Sequence, residues 1–202
     1  MDASIFQGNL VRSDRIVYTP SPFAKENLIY LQEVGRLQAL QPHTSQREHL
    51  ASYLFFLVEE GEGSVGFGGS QFSLRKGDCA FLDCTTPYSH RSSDLLWSLK
   101  WVHFYGSNMP GIYEKYIQRG GAVCFTTEYF QEYSGLLDQL YDIAASEFYI
   151  RDMKLYEKLT SLLTLLMEES WNPAVPSADT RQGKRDIQPI RRYLEQNYQK
   201  KI

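Results

Sequence analysis

Leu95-Leu96-Trp97-Ser98-Leu99-Lys100-Trp101-Val102-His103-Phe104-Tyr105 reads as one strand with two unlike faces. One face carries Leu95, Trp97, Leu99, Trp101, His103 and Tyr105. The other carries Leu96, Ser98, Lys100, Val102 and Phe104. Two indoles and an imidazole along one face make a flat wall with polar tips. Such a wall suits either a ligand cavity or a core side whose N–H groups find partners within the protein.

Upstream, Tyr53-Leu54-Phe55-Phe56-Leu57-Val58 is apolar at every position, the mark of a strand covered on both faces. Leu28–Leu31, Ser64–Phe67 and Cys79–Leu82 are further short β-rich runs. Turn chemistry separates them at Glu60-Gly61-Glu62-Gly63, at Gly68-Gly69 and at Lys76-Gly77-Asp78. Short strands at this spacing predict an antiparallel sandwich or barrel over 28–125. Residues 1–27, broken by Pro20 and Pro22, read as an arm and loop.

Downstream of Gly120-Gly121 the period becomes helical. Phe130, Tyr133, Leu136, Leu137, Leu140, Tyr141 and Ala144 form one stripe, with Thr126 or Thr127 as its expected N-cap. A second helix is expected from about Phe148 to Ser170. Its stripe Leu155, Leu159, Leu162, Leu166 lies beside Tyr156, Thr160, Leu163, Met167. A face this wide can serve the neighbouring helix and a twin subunit, or can be buried within one subunit. The hairpin 126–171 is followed by a Pro-containing linker, 172–185. A last amphipathic helix, 186–202, is expected to be the start of a second domain cut short.

The 202 residues carry 21 Lys and Arg against 24 Asp and Glu, and 43% are hydrophobic. That length suits one domain or one and a part, and the composition excludes a wholly disordered chain. Residues 181–202 hold seven basic and two acidic residues, a charge of +5, so the first 180 carry −8 of the net −3. An acidic body offers nucleic acid little counterion release, whereas the basic tail could. No run approaches the length of a membrane span, and the first residues lack a secretory pattern. Cys79, Cys84 and Cys124 are an odd set at no metal-like spacing, as expected of reduced thiols in the cytoplasm.

Catalytic patterns are sparse. The four His are His43, His49, His90 and His103, with no His-x-His pair followed by Glu. His90 and His103 could meet across strands, which leaves a metal-dependent barrel enzyme acting on a sugar or small acid as the competing reading. Nucleophile elbow, phosphate loop and Cys-x-x-Cys are all absent, so no metal or cofactor is expected.

Several features follow one another in a fixed order: Arg47 ahead of Tyr53–Val58, Gly61-Glu62-Gly63, then Leu74-Arg75-Lys76-Gly77-Asp78-Cys79-Ala80-Phe81-Leu82. Pro87-Tyr88-Ser89-His90 and Trp97 through Gly106 complete the series. In this order they resemble the N-terminal sensor half of AraC-type transcription factors, the arabinose-operon regulator family. The resemblance extends over nearly all of the chain after residue 27. Asp186–Tyr198 is similar to the opening helix of that family's DNA-binding half. The likeness implies a mainly β protein with C-terminal helices: a cupin-like antiparallel barrel, or double-stranded jelly roll, followed by a helical hairpin that dimerises. It implies a small-molecule effector, a sugar among the candidates, a homodimer and DNA contact only through the full-length protein. Arg47 and Trp101 match the family's pocket positions. His90, Trp97, His103 and Glu33 join them by sidedness, and Leu155, Leu159, Leu162, Leu163 and Leu166 are the expected dimer contacts. An N-terminal arm, roughly residues 1–20, is expected to close over the pocket. Leu99 stands where the sugar-binding member has a His, which removes one polar partner and speaks against arabinose itself.

Overall fold

The computed structural model describes residues 10–171. Ten strands and four helices follow in chain order: β1 (Val11–Val17), α1 (Pro22–Asn27), β2 (Tyr30–Ala39), β3 (Thr44–Arg47), β4 (Tyr53–Glu60), β5 (Glu62–Phe67), β6 (Ser70–Arg75), β7 (Asp78–Asp83), β8 (Tyr88–Ser92), β9 (Ser98–Tyr105), α2 (Met109–Gln118), β10 (Cys124–Thr126), α3 (Phe130–Ala145) and α4 (Arg151–Ser170). The expected linker 172–185 and helix 186–202 lie outside the described residues, as do the first nine residues of the expected arm.

Two antiparallel sheets face each other, ordered β1-β2-β9-β4-β7-β10 and β3-β8-β5-β6. This is a cupin-like β-sandwich with helices packed against its larger sheet. β4 explains why a strand here must be apolar on both sides. Tyr53, Phe55 and Leu57 enter the core shared with the helices, whereas Leu54, Phe56 and Val58 enter the core between the sheets. The β5–β6 hairpin closes through Gly68-Gly69, both at positive φ, as a two-residue turn matched to strand twist requires. Asp78 holds the next turn: its carboxylate accepts from the Arg75 N–H at 2.8 Å and from Thr126 Oγ1 at 2.6 Å.

Several expectations need correction. Residues 11–17 and 22–27, read as arm and loop, form β1 and α1, and β1 pairs along its whole length with β2. β9 begins at Ser98. Leu95 lies in the preceding turn, 62% exposed, and Tyr105 turns to the helix side, stacked 6.4 Å from Tyr53. α2 falls inside the stretch 28–125 expected to be barrel. Its Pro110 sits in the first turn, where a missing N–H costs nothing. Thr127 does not cap α3 directly. Its Oγ1 accepts from Tyr129 N at 2.9 Å, and Glu169 from α4 takes the Glu128 N–H at 3.0 Å.

The hairpin leucines are the largest departure. Leu155, Leu159, Leu162, Leu163 and Leu166 are all buried within the single chain, among Tyr133, Leu137 and Leu140 of α3 and the outer face of the larger sheet. Leu155, Leu159, Leu162 and Leu166 thus belong to the internal core, whereas Leu163 also borders an apolar groove beside α2. A polar clamp adds to this junction. Lys100, on the helix side of β9, reaches Glu59 at 2.9 Å and Asp138 at 2.8 Å, and donates to Ser134 Oγ at 2.8 Å.

Candidate ligand-binding site

The inward faces of β1, β2, β4 and β9, together with β3 and β8, enclose a cavity of about 930 Å³, ample for a small molecule. Glu33, Arg47, His90, Trp101 and His103 all line it. Alternation along β9 brings Leu99, Trp101 and His103 to this side and sends Lys100 and Val102 to the other. Trp101 is positioned by a missing side chain. It pairs with Gly35 across β2 and β9, where a Cβ would sit 2.6 Å from the indole. Glycine there lets the ring lie over the neighbouring strand.

Trp97 is placed differently from the expectation. It is 0% exposed and does not line the cavity. Its ring occupies the space left by Gly63 and lies 6.0 Å from the His90 ring, behind the wall rather than on it. The indole Nε1 of Trp97 and Nδ1 of His90 have no hydrogen-bond partner among the described residues.

Sequence reasoning missed part of the lining. β1 contributes Val11, Ser13, Arg15 and Val17, and Ser52 and Tyr88 complete the polar rim. Residues 11–17 show no apolar–polar alternation, because the cavity-facing set Val11, Ser13, Arg15 and Val17 is itself mixed. Arg15 Nη1 lies 3.4 Å from Glu33 Oε1. Ser52 Oγ and His103 Nδ1 share a hydrogen bond of 2.9 Å that fixes the imidazole plane.

Both cavity imidazoles are held neutral. Burial lowers His90 to about 3, helped by the nearby charges of His43, Arg47 and His103. Burial and Arg47 lower His103 to about 4. An unfolded chain takes up these protons below about pH 6.5, whereas the folded barrel refuses them. Stability is therefore full above about pH 6.5 and falls toward pH 4, by about 1.4 kcal/mol per pH unit for each ring. Urea midpoints measured at pH 7, 6 and 5 should show this slope, and replacing both His by Gln should flatten it. A flat wild-type profile would contradict the burial argument.

Among the described residues, no group of three or more His, Cys, Asp or Glu side chains could hold a metal ion. A third ligand for His90 and His103 would have to come from the cavity's single carboxylate, Glu33, which is engaged by Arg15.

A half-open cavity of mixed polarity, with an indole and a guanidinium among its lining groups, lies inside a cupin-like β-sandwich. The match to a known family is more specific: the AraC-like ligand binding domain corresponds to residues 31–163, and the chain belongs to that family. No curated protein matches the chain. Among solved structures it is similar to the Cnp3 cupin domain of Schizosaccharomyces pombe, at 10% identity and a TM-score of 0.40, over 55% of this chain and 76% of that one. It is also similar to an HTH_3 family transcriptional regulator from Vibrio cholerae, at 14% identity and a TM-score of 0.39, over 48% and 51% of the two chains. A predicted oxalate decarboxylase from Thermotoga maritima matches at 16% identity and a TM-score of 0.37, over 47% and 80%.

Proposed function

We propose that this chain is the effector-sensing part of an AraC-type transcription regulator, with no catalytic role. It takes a small hydroxylated molecule, of sugar size, into the barrel. The observation that carries this reading is that Trp101 and Arg47 line one cavity between the two sheets, within a chain of this family.

A ligand acts only by favouring one conformation over another. β1 is the element best suited to respond, being an edge strand that lines the cavity. Just beyond it, Tyr18 donates to Asp152 at 2.9 Å and the Ser21 N–H donates to the same carboxylate at 3.2 Å. Asp152 lies in the first turn of α4. A shift of β1 over a bound ligand thus has a direct mechanical link to the hairpin. Dimerisation would use the outward side of that hairpin, where Met153 and Trp171 are about half exposed and an apolar groove runs past Tyr156, Thr160 and Met167. DNA contact belongs to the full-length protein, through residues beyond those described. Among the described residues no helix is long and apolar enough to cross a membrane.

Thermal-shift screening of a monosaccharide panel against wild type, Trp101→Ala and Trp101→Phe tests the assignment. Loss of the indole should weaken binding by about 10- to 100-fold, roughly 1.4–2.8 kcal/mol, and Phe should restore part of it. Binding unaffected by Trp101→Ala would place the ligand elsewhere.

A further inference from the structure

The proposed effector reading leaves the ligand's charge open, and the cavity's own charges address it. Of the residues that line it, only Arg15, Arg47 and Glu33 carry a permanent charge. Arg15 and Glu33 face each other at 3.4 Å. Arg47 instead donates to the main-chain carbonyl of Gln46 at 2.8 Å, and no carboxylate among the described residues forms an ion pair with it. One guanidinium is therefore balanced only by a neutral carbonyl.

Resting on the effector-binding reading, we propose that the cavity is built for a monocarboxylate, a sugar acid or similar hydroxy acid, whose carboxylate is held by Arg47. A guanidinium presents five N–H groups in a rigid fork that fits a carboxylate's two oxygens, and the Gln46 carbonyl occupies only one of its donors. Leu54, Phe56 and Leu99 make much of the remaining wall apolar. Arg47 is only partly buried and its contact with Gln46 is solvent-exposed, so its attraction for an anion is partly screened and rests on the free N–H donors of the fork. The same wall disfavours a ligand with hydroxyls on every side, because those facing Leu99 and Phe56 would find no partner. The two imidazoles add no competing charge, since both stay neutral at pH 7. Ser52 can donate to Nδ1 of His103, which leaves the ring's other nitrogen to carry the proton and act as a second donor to the anion. A single unmatched guanidinium balances one negative charge. A phosphate ester, with nearly two, would bring an excess.

Calorimetry on the whole chain tests this with matched probes: galactose and galacturonate, glucose and glucuronate, and glucose 6-phosphate. Each uronate should bind at least about tenfold tighter than its neutral partner. Arg47→Gln should erase that preference and Arg47→Lys should keep part of it, with unliganded thermal midpoints confirming that both variants fold. Raising salt from about 50 to about 500 mM should weaken only the acids. Neutral sugars binding as tightly as the acids, with Arg47→Gln without effect, would overturn the carboxylate proposal while leaving effector binding intact. Tighter binding of the phosphate would overturn the single-charge argument. Failure of every probe to bind would count against both readings.

Discussion

Leu159→Arg is expected to unfold the domain rather than to release a folded monomer. The side chain is 0% exposed and packs in the core shared by α3, α4 and the larger sheet. An arginine there would bury an unpaired charge, at a cost of several kcal/mol in a fold whose whole stability is of the order of 5–15 kcal/mol. Thr160, the next residue, is exposed on the outward side of α4 and lines the groove beside α2. Thr160→Arg should therefore keep the circular dichroism spectrum and thermal midpoint of wild type while shifting sedimentation toward monomer. The two substitutions separate internal packing from association. A folded, soluble Leu159→Arg protein would mean that α4 is not seated as described.

Gly35→Val is expected to abolish ligand binding while weakening the fold less severely. A Cβ at this position would lie 2.6 Å from Cζ2 and 2.7 Å from Cη2 of Trp101, and 2.8 Å from the Asp14 carbonyl oxygen. The indole can turn aside, but the Asp14 carbonyl belongs to the backbone of β1, so the strand that lines the cavity would also be pushed away. Overpacking of this kind costs about 1–3 kcal/mol. Chemical denaturation should reveal a loss of that size, together with binding reduced at least as far as in Trp101→Ala. Unchanged affinity in Gly35→Val would show that the indole's position does not matter to the ligand.

How far the sequence could be read depended on how local each signal was. β4 was legible because six consecutive apolar residues admit few other structures, and α3 and α4 because their stripes repeat over several turns. Arg47, His90, Trp101, His103 and Glu33 share one cavity, as strand alternation and the family resemblance suggested. Trp97 shares the alternation of β9's inward face but sits just before the strand begins, where a neighbouring glycine draws its ring into the wall. Alternation predicts a side, not a depth. The hairpin leucines failed for a related reason. A broad apolar face states how much must be covered but not by what: here α3 and the larger sheet cover the Leu155, Leu159, Leu162, Leu166 stripe, while Tyr156, Thr160, Leu163 and Met167 border the groove beside α2. β1 stayed hidden because its polar residues pair across to β2 or face a polar cavity, so it lacks the hydrophobic contrast that identifies most strands.

The most direct test is a crystal structure of the chain grown with the tightest-binding member of the sugar and sugar-acid panel. The account predicts that ligand inside the barrel, its ring against the Trp101 indole and its polar end on Arg47. A ligand bound outside the barrel, with the chamber between the two sheets filled by side chains, would contradict it.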